Sequence, residues 1–297
     1  MVISKGARLR NLLAHDTLAV PGVFNALTAM LVEEVGFRAV YVSGAGLSNS
    51  AGYPDVGLLG LSEFVQQARY VAGAVSIPAI CDADTGFGEV PNVARTVREF
   101  EAAGAAGIHI EDQEWPKRCG HLEGKQVIDA EAMAEKVRAA LRARTDPDFM
   151  IIARTDARSV KGLDEAIRRG RLYADSGADA IFPEALEKLE EFELFAKQVS
   201  PHFGSRPPIL VANMTEFGKT PLIGTESLGR LGYRIVLFPQ TALRVALKAM
   251  KDALTVLKQA GTQREFVNRM STRKDLYTLL RYDVAAAMDR KSEQGGD

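Results

Sequence analysis

Eight short apolar runs, separated by stretches of helical period, predict a TIM (β/α)8 barrel for this chain. The runs fall at 18–20, 39–42, 79–83, 107–110, 150–153, 180–182, 209–212 and 235–238. Each is too short for a helix and almost continuously apolar, as expected of parallel strands covered on both faces. Between them 92–103, 130–143, 163–176 and 186–199 carry helical spacing. Two of these end in glycine, at Ala103-Gly104 and Ser176-Gly177, where a left-handed cap can close the helix. A doubly wound open sheet is the competing architecture, but the chain has no glycine-rich dinucleotide turn. The length of 297 residues suits one domain, 1–297, since such barrels typically run to about 250 residues.

Residues 224–260 supply a seventh helix, the eighth strand and a helix over 241–260. The tail, 262–297, reads as a helical C-terminal extension, with Phe266, Val267, Met270, Leu276, Leu279 and Leu280 at roughly helical spacing. A closed barrel does not need this tail, so it is expected to reach a neighbouring subunit. Its end, 290–297, is polar and reads as frayed. Composition narrows the partners. With 37 basic and 38 acidic residues there is no basic field for nucleic acid or an anionic membrane. No apolar run reaches the ~18 residues of a membrane span. Two cysteines and no signal-peptide core point to a reducing cytoplasm.

The polar residues that interrupt the pattern collect at the C-terminal ends of the runs, the side on which such barrels build their sites. Side chains two apart on a strand share a face, so Asp82 and Asp84 are expected to point together, as are His109 and Glu111. Three carboxylates and an imidazole then meet in one mouth, and like charges that close need compensation. A single aspartate more often caps a turn. Three acids on adjacent strands argue for a hard divalent cation, Mg2+ with retained waters, or Mn2+. Asp82 and Asp84 would be its ligands and Glu111 would act through water. Asp55 lies in Gly52-Tyr-Pro-Asp-Val-Gly57, where Pro-Asp is a good turn pair, and is also expected behind these ligands.

Groups suited to an anion lie close by. Arg154 ends strand five, Asn213 ends strand seven and Arg244 follows strand eight. The small residues of Ser43-Gly44-Ala45-Gly46 let backbone N–H groups approach an anion. Glu184, after Pro183 at the end of strand six, belongs to the same rim. Arg154 pairs as readily with Asp156 or Glu184 as with a ligand, and an arginine in the first turn of a helix, like Arg244, usually faces solvent. Cys81 has the opposite strand parity from Asp82 and reads as a small buried hydrophobe. Cys119 sits in a polar loop beside Lys117, Arg118 and His121, cations that favour a thiolate. The chain has no Cys-x-x-Cys, P-loop or Gly-x-Ser-x-Gly elbow.

Lys117-Arg118-Cys119-Gly120-His121 resembles the signature of the isocitrate lyase and phosphoenolpyruvate mutase superfamily. Ser43-Gly44, Asp82-Ala-Asp84, His109-Ile-Glu111-Asp112, Arg154-Thr-Asp156, Phe182-Pro-Glu184 and Asn213 agree in order, and the resemblance spans about 18–282. The cysteine is similar to the lyases of the superfamily, not to its mutases and phosphonopyruvate hydrolases. Asn213-Met-Thr-Glu-Phe-Gly-Lys-Thr-Pro221, Gly261-Thr-Gln263 and Thr272-Arg-Lys-Asp-Leu-Tyr277 resemble the 2-methylisocitrate lyase branch. His121-Leu-Glu-Gly-Lys125 is shared with dimethylmalate lyases and carboxyphosphonoenolpyruvate mutases.

The resemblance implies a Mg2+-dependent carbon–carbon lyase acting on a small di- or tricarboxylate in propionate breakdown. It also implies a homotetramer, a dimer of dimers, whose barrels exchange their last helix. Related alternatives are 2,3-dimethylmalate lyase, oxaloacetate decarboxylase and carboxyphosphonoenolpyruvate mutase activities. On the matching positions Cys119 is the expected acid, His121 the source of its proton, and Tyr41 a group near the substrate hydroxyl. Arg154 would hold a carboxylate, and Ser43, Gly44 and Ala45 the pyruvate end. Gly120, Glu184, Asn213, Met214, Thr215, Arg244 and Arg273 complete the expected substrate contacts.

Overall fold

The computed structural model describes residues 3–120, 124–203, 209–284 and 286–287. Eight strands, β1 (Leu18–Val23), β2 (Val40–Val42), β3 (Ala79–Asp82), β4 (Gly107–Glu111), β5 (Met150–Thr155), β6 (Ala180–Pro183), β7 (Leu210–Asn213) and β8 (Tyr233–Phe238), overlie the eight apolar runs. They pair in parallel and in chain order, and β8 returns to β1 to close the barrel. Alternation along each strand then sorts the side chains into two buried sets. Leu18, Val20, Tyr41, Ile80, Ile152, Phe182, Val211, Ile235 and Leu237 fill the interior. Val40, Val42, Cys81, Ile108, Ile110, Ile151, Ala153, Ile181 and Val236 face the surrounding helices. Cys81 is fully buried in that outer layer, where burial pushes its thiol well up from the ordinary range.

The helices are α1 (Lys5–His15), α2 (Ala26–Val35), α3 (Gly44–Ser50), α4 (Leu61–Ala74), α5 (Val90–Ala102), α6 (Ala130–Ala143), α7 (Ala157–Lys161), α8 (Leu163–Asp175), α9 (Leu189–Val199), α10 (Thr225–Arg230), α11 (Thr241–Ala260) and α12 (Arg273–Leu279). The repeat pattern does not anticipate α1. Ser4 caps it by accepting the N–H of Ala7 at 3.1 Å, and its Leu9 and Leu13 enter the interior cluster beside the strand starts. Arg10 fixes it there, with Nη2 2.7 Å from Asp179 Oδ1 and Nε donating to the Asp148 carbonyl at 2.9 Å. The N-terminal end of the barrel is therefore plugged, and the C-terminal end is left open for loops.

The last two helices differ from the rest. α11 has no buried residue along its 20-residue length. Leu247, Met250, Leu254 and Leu257 make an apolar stripe at spacings of three and four, and all are more than 40 % exposed. α12 lies beside α2 of its own barrel, and Arg281 comes within 3.6 Å of Glu33 on that helix. α11 carries an uncovered apolar face, and in the tail Val267, Met270, Leu276 and Leu280 are exposed as well.

Leu9 is fully buried in the plug. The Leu9→Ala variant is expected to lose about 2–5 kcal/mol of stability, read as a lower midpoint in urea at unchanged slope.

Candidate active site

At the open end each strand presents its last inward residue. The register sets Asp82 against His109 and Glu111 against Arg154, and carries Arg154 on to Phe182. One layer inside the mouth, the Tyr41 hydroxyl donates to Asp82 Oδ2 at 3.1 Å and lies 2.8 Å from His109 Nε2. With Tyr41 donating to Asp82, the His109 ring must carry its proton on Nε2. Burial draws that imidazole down to about 4, so it stays neutral near pH 7. Burial and the Asp82 charge push the Tyr41 phenol well up, which makes Tyr41 a donor and not a base.

Asp82 accepts two further hydrogen bonds, from the N–H of Gly44 at 3.1 Å and of Asp84 at 3.0 Å. Gly44 thus spends its N–H on the protein's own carboxylate, where the sequence suggested an anion cradle. The parity expected for Asp84 does not apply either. β3 ends at Asp82, and Asp84 lies in the turn beyond it with φ of 44°. That left-handed turn, not strand alternation, brings its buried carboxylate into the mouth.

Lys117 Nζ sits between Asp55 and Asp84, 2.7 Å from Asp84 Oδ1. Against the pull of burial, Asp84, Glu111, Asp55 and Asp82 hold its ammonium well above the ordinary lysine range. Its charge serves these acids, whereas the sequence placed it beside the thiol. Arg154 is shared three ways: Nε is 2.9 Å from Asp156 Oδ2 and 3.3 Å from Glu111 Oε2, and Nη1 is 3.4 Å from Glu184 Oε2. Asn213 Nδ2 donates to Glu184 Oε2 at 3.1 Å.

Five buried carboxylates, Asp82, Asp84, Glu111, Asp156 and Glu184, therefore face three buried cations, Lys117, Lys125 and Arg154. Burial lifts Asp84 to about 7 and Glu111 well above the usual carboxylate range. Asp84 Oδ1 is held by Lys117, while Asp84 Oδ2 and Glu111 Oε1 are buried without a hydrogen bond. Among the described residues no three His, Cys, Asp or Glu side chains converge as a complete metal cage. Mg2+ does not require one, because it usually takes one or two carboxylates and keeps several waters. The orphaned oxygens and the surplus negative charge fit such an ion at Asp82 and Asp84.

A cavity of about 290 Å³ lies over this layer, lined by Tyr41, Ser43, Ala45, Asp55, Asp82, Glu111, Cys119, Gly120, Arg154, Glu184, Asn213, Thr215 and Arg244 among others. A larger groove of about 530 Å³ outside the mouth, against Leu58, Phe87 and Trp115, contains none of these acids. Three expected contacts stand apart from the cavity, Gly44 with its N–H on Asp82 being the first. Met214 is buried and its sulfur accepts the N–H of Ile223 at 3.3 Å, while Arg273 opens α12 on the exposed tail. Arg244 is on the rim, 46 % exposed, with Nε 3.5 Å from Glu216 and its guanidinium over the Phe217 ring. His121 falls outside the described residues. Asn49, Pro54, Pro239 and Gln240 also line the cavity, and nothing in strand parity or motif order singles them out.

The Cys119 loop is seated by glycine and lysine. A Cβ on Gly120 would lie 2.4 Å from Arg154 Nη2 and 2.7 Å from Glu184 Cγ, so only glycine lets the loop rest on that pair. Lys125 Nζ donates to the Gly120 carbonyl and, at 2.7 Å, to Asp156 Oδ1. Behind Asp156, the buried Asp112 accepts the Asp156 N–H at 2.9 Å, the Thr155 hydroxyl at 2.8 Å, Arg169 at 3.0 Å and the Tyr173 hydroxyl at 2.8 Å. The Gly120→Ala variant should lift the loop from Arg154 without unfolding the barrel. Faster tryptic cleavage after Lys117 and Lys125, at an unchanged melting temperature, is the expected result, and wild-type resistance would contradict it.

The model of the phosphoenolpyruvate phosphomutase family matches residues 9–258. The chain is 47 % identical over 294 residues to a 2-methylisocitrate lyase of Aeropyrum pernix, covering 97 % of this chain and 92 % of that one. It superposes with a TM-score of 0.90 on a crystal structure of 2,3-dimethylmalate lyase, at 33 % identity and covering 100 % and 97 % of the two chains. A phosphonopyruvate hydrolase in complex with oxalate and Mg2+ gives 0.86 at 32 % identity, covering 97 % and 98 %. With the barrel, the acidic mouth and the cysteine loop in one arrangement, the chain belongs to the phosphoenolpyruvate phosphomutase family.

Proposed function

We propose that this protein is a Mg2+-dependent lyase that cleaves (2S,3R)-2-methylisocitrate to pyruvate and succinate, a step of propionate breakdown. The observation that carries the reading is the seating of Cys119 and Gly120 over Arg154, beside the acid cluster in the same cavity. It sets a proton donor and a carboxylate-binding cation in the same cavity as acids that suit a hard cation. The likeness to 2-methylisocitrate lyases over nearly the full chain supports the substrate.

Asp82 and Asp84 would hold the ion, with Glu111 through water and Asp55 behind them. Bound Mg2+ supplies the charge that lowers the pKa of the substrate's 2-hydroxyl. Tyr41, held protonated, donates a hydrogen bond at the hydroxyl end. The hydroxyl proton passes to Glu111, whose Oε1 has no hydrogen bond, and as the C2–C3 bond breaks C2 becomes the pyruvate carbonyl and the bonding pair passes to C3 of the succinate half. Arg154 offsets the developing charge on the neighbouring carboxylate. The Cys119 thiol gives C3 its proton as general acid, and His121 returns one to the sulfur. Asn213, Thr215 and Arg244 anchor the succinate carboxylates, and Ser43 and Ala45 border the pyruvate end. The loop over the cavity keeps solvent protons from the carbanion.

The TM-score of 0.90 to a 2,3-dimethylmalate lyase favours one second reading, cleavage of that dicarboxylate to pyruvate and propionate. The two reactions share pyruvate and differ in the other product. The uncovered stripe on α11 supports exchange of this helix between copies, giving a tetramer built as a dimer of dimers. Two cysteines outside any disulfide support a cytoplasmic setting.

Purified protein with Mg2+ should release pyruvate and succinate in equal amounts from 2-methylisocitrate, and chelation should stop it. Pyruvate with propionate from dimethylmalate, and none from 2-methylisocitrate, would shift the assignment to the second reading. Cys119→Ser should lower turnover by about 10²–10⁴-fold while pyruvate still binds; near-normal turnover would refute the acid role. Leu254→Lys should shift the assembly toward smaller species by light scattering, and an unchanged mass would remove α11 from the interface.

A further inference from the structure

Gln240 follows β8 and occupies the N-cap position of α11 without a side-chain cap hydrogen bond. Its side chain is only 6 % exposed although α11 itself has no buried residue, so the burial comes from the barrel mouth and not from helix packing. Its backbone is held on both sides. A Cβ on Gly22 would fall 2.1 Å from the Pro239 carbonyl oxygen, which means β1 and the end of β8 meet backbone to backbone. The Gln240 carbonyl accepts the N–H of Arg244 at 2.9 Å. Fixed in this way, the side chain lines the cavity and its amide nitrogen, Nε2, has no hydrogen-bond partner. Buried donors without partners are rare, and one on a residue that lines a ligand cavity points to an acceptor on the ligand.

The acceptor's identity follows from the surroundings. Gln240 stands on the β7–β8 side with Asn213, Thr215 and Arg244, across the barrel from Asp82, Asp84 and Glu111 on the β3–β4 side. An N–H donor beside a guanidinium suits a carboxylate. We propose that Gln240, together with Arg244, binds the terminal carboxylate of the CH2–COO− arm of 2-methylisocitrate and so selects a tricarboxylate over 2,3-dimethylmalate. This rests on the reading above, in which the hydroxyl end of the substrate lies against the acids. Dimethylmalate carries a methyl group in place of the arm and leaves the Gln240 donor buried and unpaired. A site built around a hydrogen bond rejects such an analogue more strongly than an apolar pocket rejects a missing methylene.

The test uses the full-length protein with Mg2+ and two variants, Gln240→Leu and Gln240→Glu, the second nearly isosteric. Succinate and pyruvate binding are measured separately by titration calorimetry, and kcat/KM is measured on both substrates. Succinate affinity should fall about tenfold or more in both variants while pyruvate affinity holds. In Gln240→Leu the preference should move toward dimethylmalate. Succinate affinity within about twofold of wild type in both variants would overturn the proposal. So would a parallel fall for pyruvate, because Gln240 would then be shaping the whole mouth. Wild-type protein that releases no pyruvate from 2-methylisocitrate refutes the substrate reading instead, and the succinate titration, which needs no turnover, reports on Gln240 separately.

Discussion

The burial of five carboxylates in one barrel mouth is the constraint on which the rest of the structure depends. Each charge removed from water must be offset nearby, since breaking a buried pair typically costs about 3–5 kcal/mol. Arg154 offsets Glu111, Asp156 and Glu184 at once, and Lys125 adds a second charge at Asp156. Lys117 pairs with Asp84, and Asp82 is held by hydrogen bonds from Tyr41, Gly44 and Asp84. The arrangement is still short of positive charge, and the protons it would hold on Asp84 and Glu111 mark where. A mouth balanced in this way has use for a cation, and it positions a guanidinium ready for a carboxylate.

The same balance places the loop. Lys125 ties the Gly120 carbonyl to Asp156, Asp156 clamps Arg154, and Asp112 holds the backbone of Asp156 from behind. Cys119 is therefore seated by the charge network and not only by its own loop. Arg169 and Tyr173, which carry Asp112, lie on α8, so the network reaches from the outer helix layer to the thiol.

The two ends of the barrel divide their roles by burial. α1 closes the end where strands begin with Leu9 and Leu13, using apolar contact and the Arg10–Asp179 pair. The opposite end is polar and stays open because its side chains need ligands as well as one another. α11 leaves that end with its apolar stripe exposed and Gln240 at its start, so one segment touches both the cavity and an uncovered apolar surface.

Much of this was legible in the residues. Eight apolar runs of strand length determined the barrel, because a run covered on both faces has few other folds open to it. Asp82, Glu111, Arg154 and Glu184 were legible as rim residues because they stand where those runs stop. Local pattern does not carry the rest. Asp84 enters the mouth through a left-handed turn, Gly44 spends its N–H on Asp82, and Lys117 turns to Asp55, 62 residues away. Met214 turns into the core, and α1 becomes a plug only because the barrel has an end of matching size. Gln240 has no motif at all; its importance lies in a donor left unpaired when β8 closes on β1. Periodicity reports which face of its own element a residue occupies. Which charge meets which, and which donor is left over, is decided only when all eight strands close.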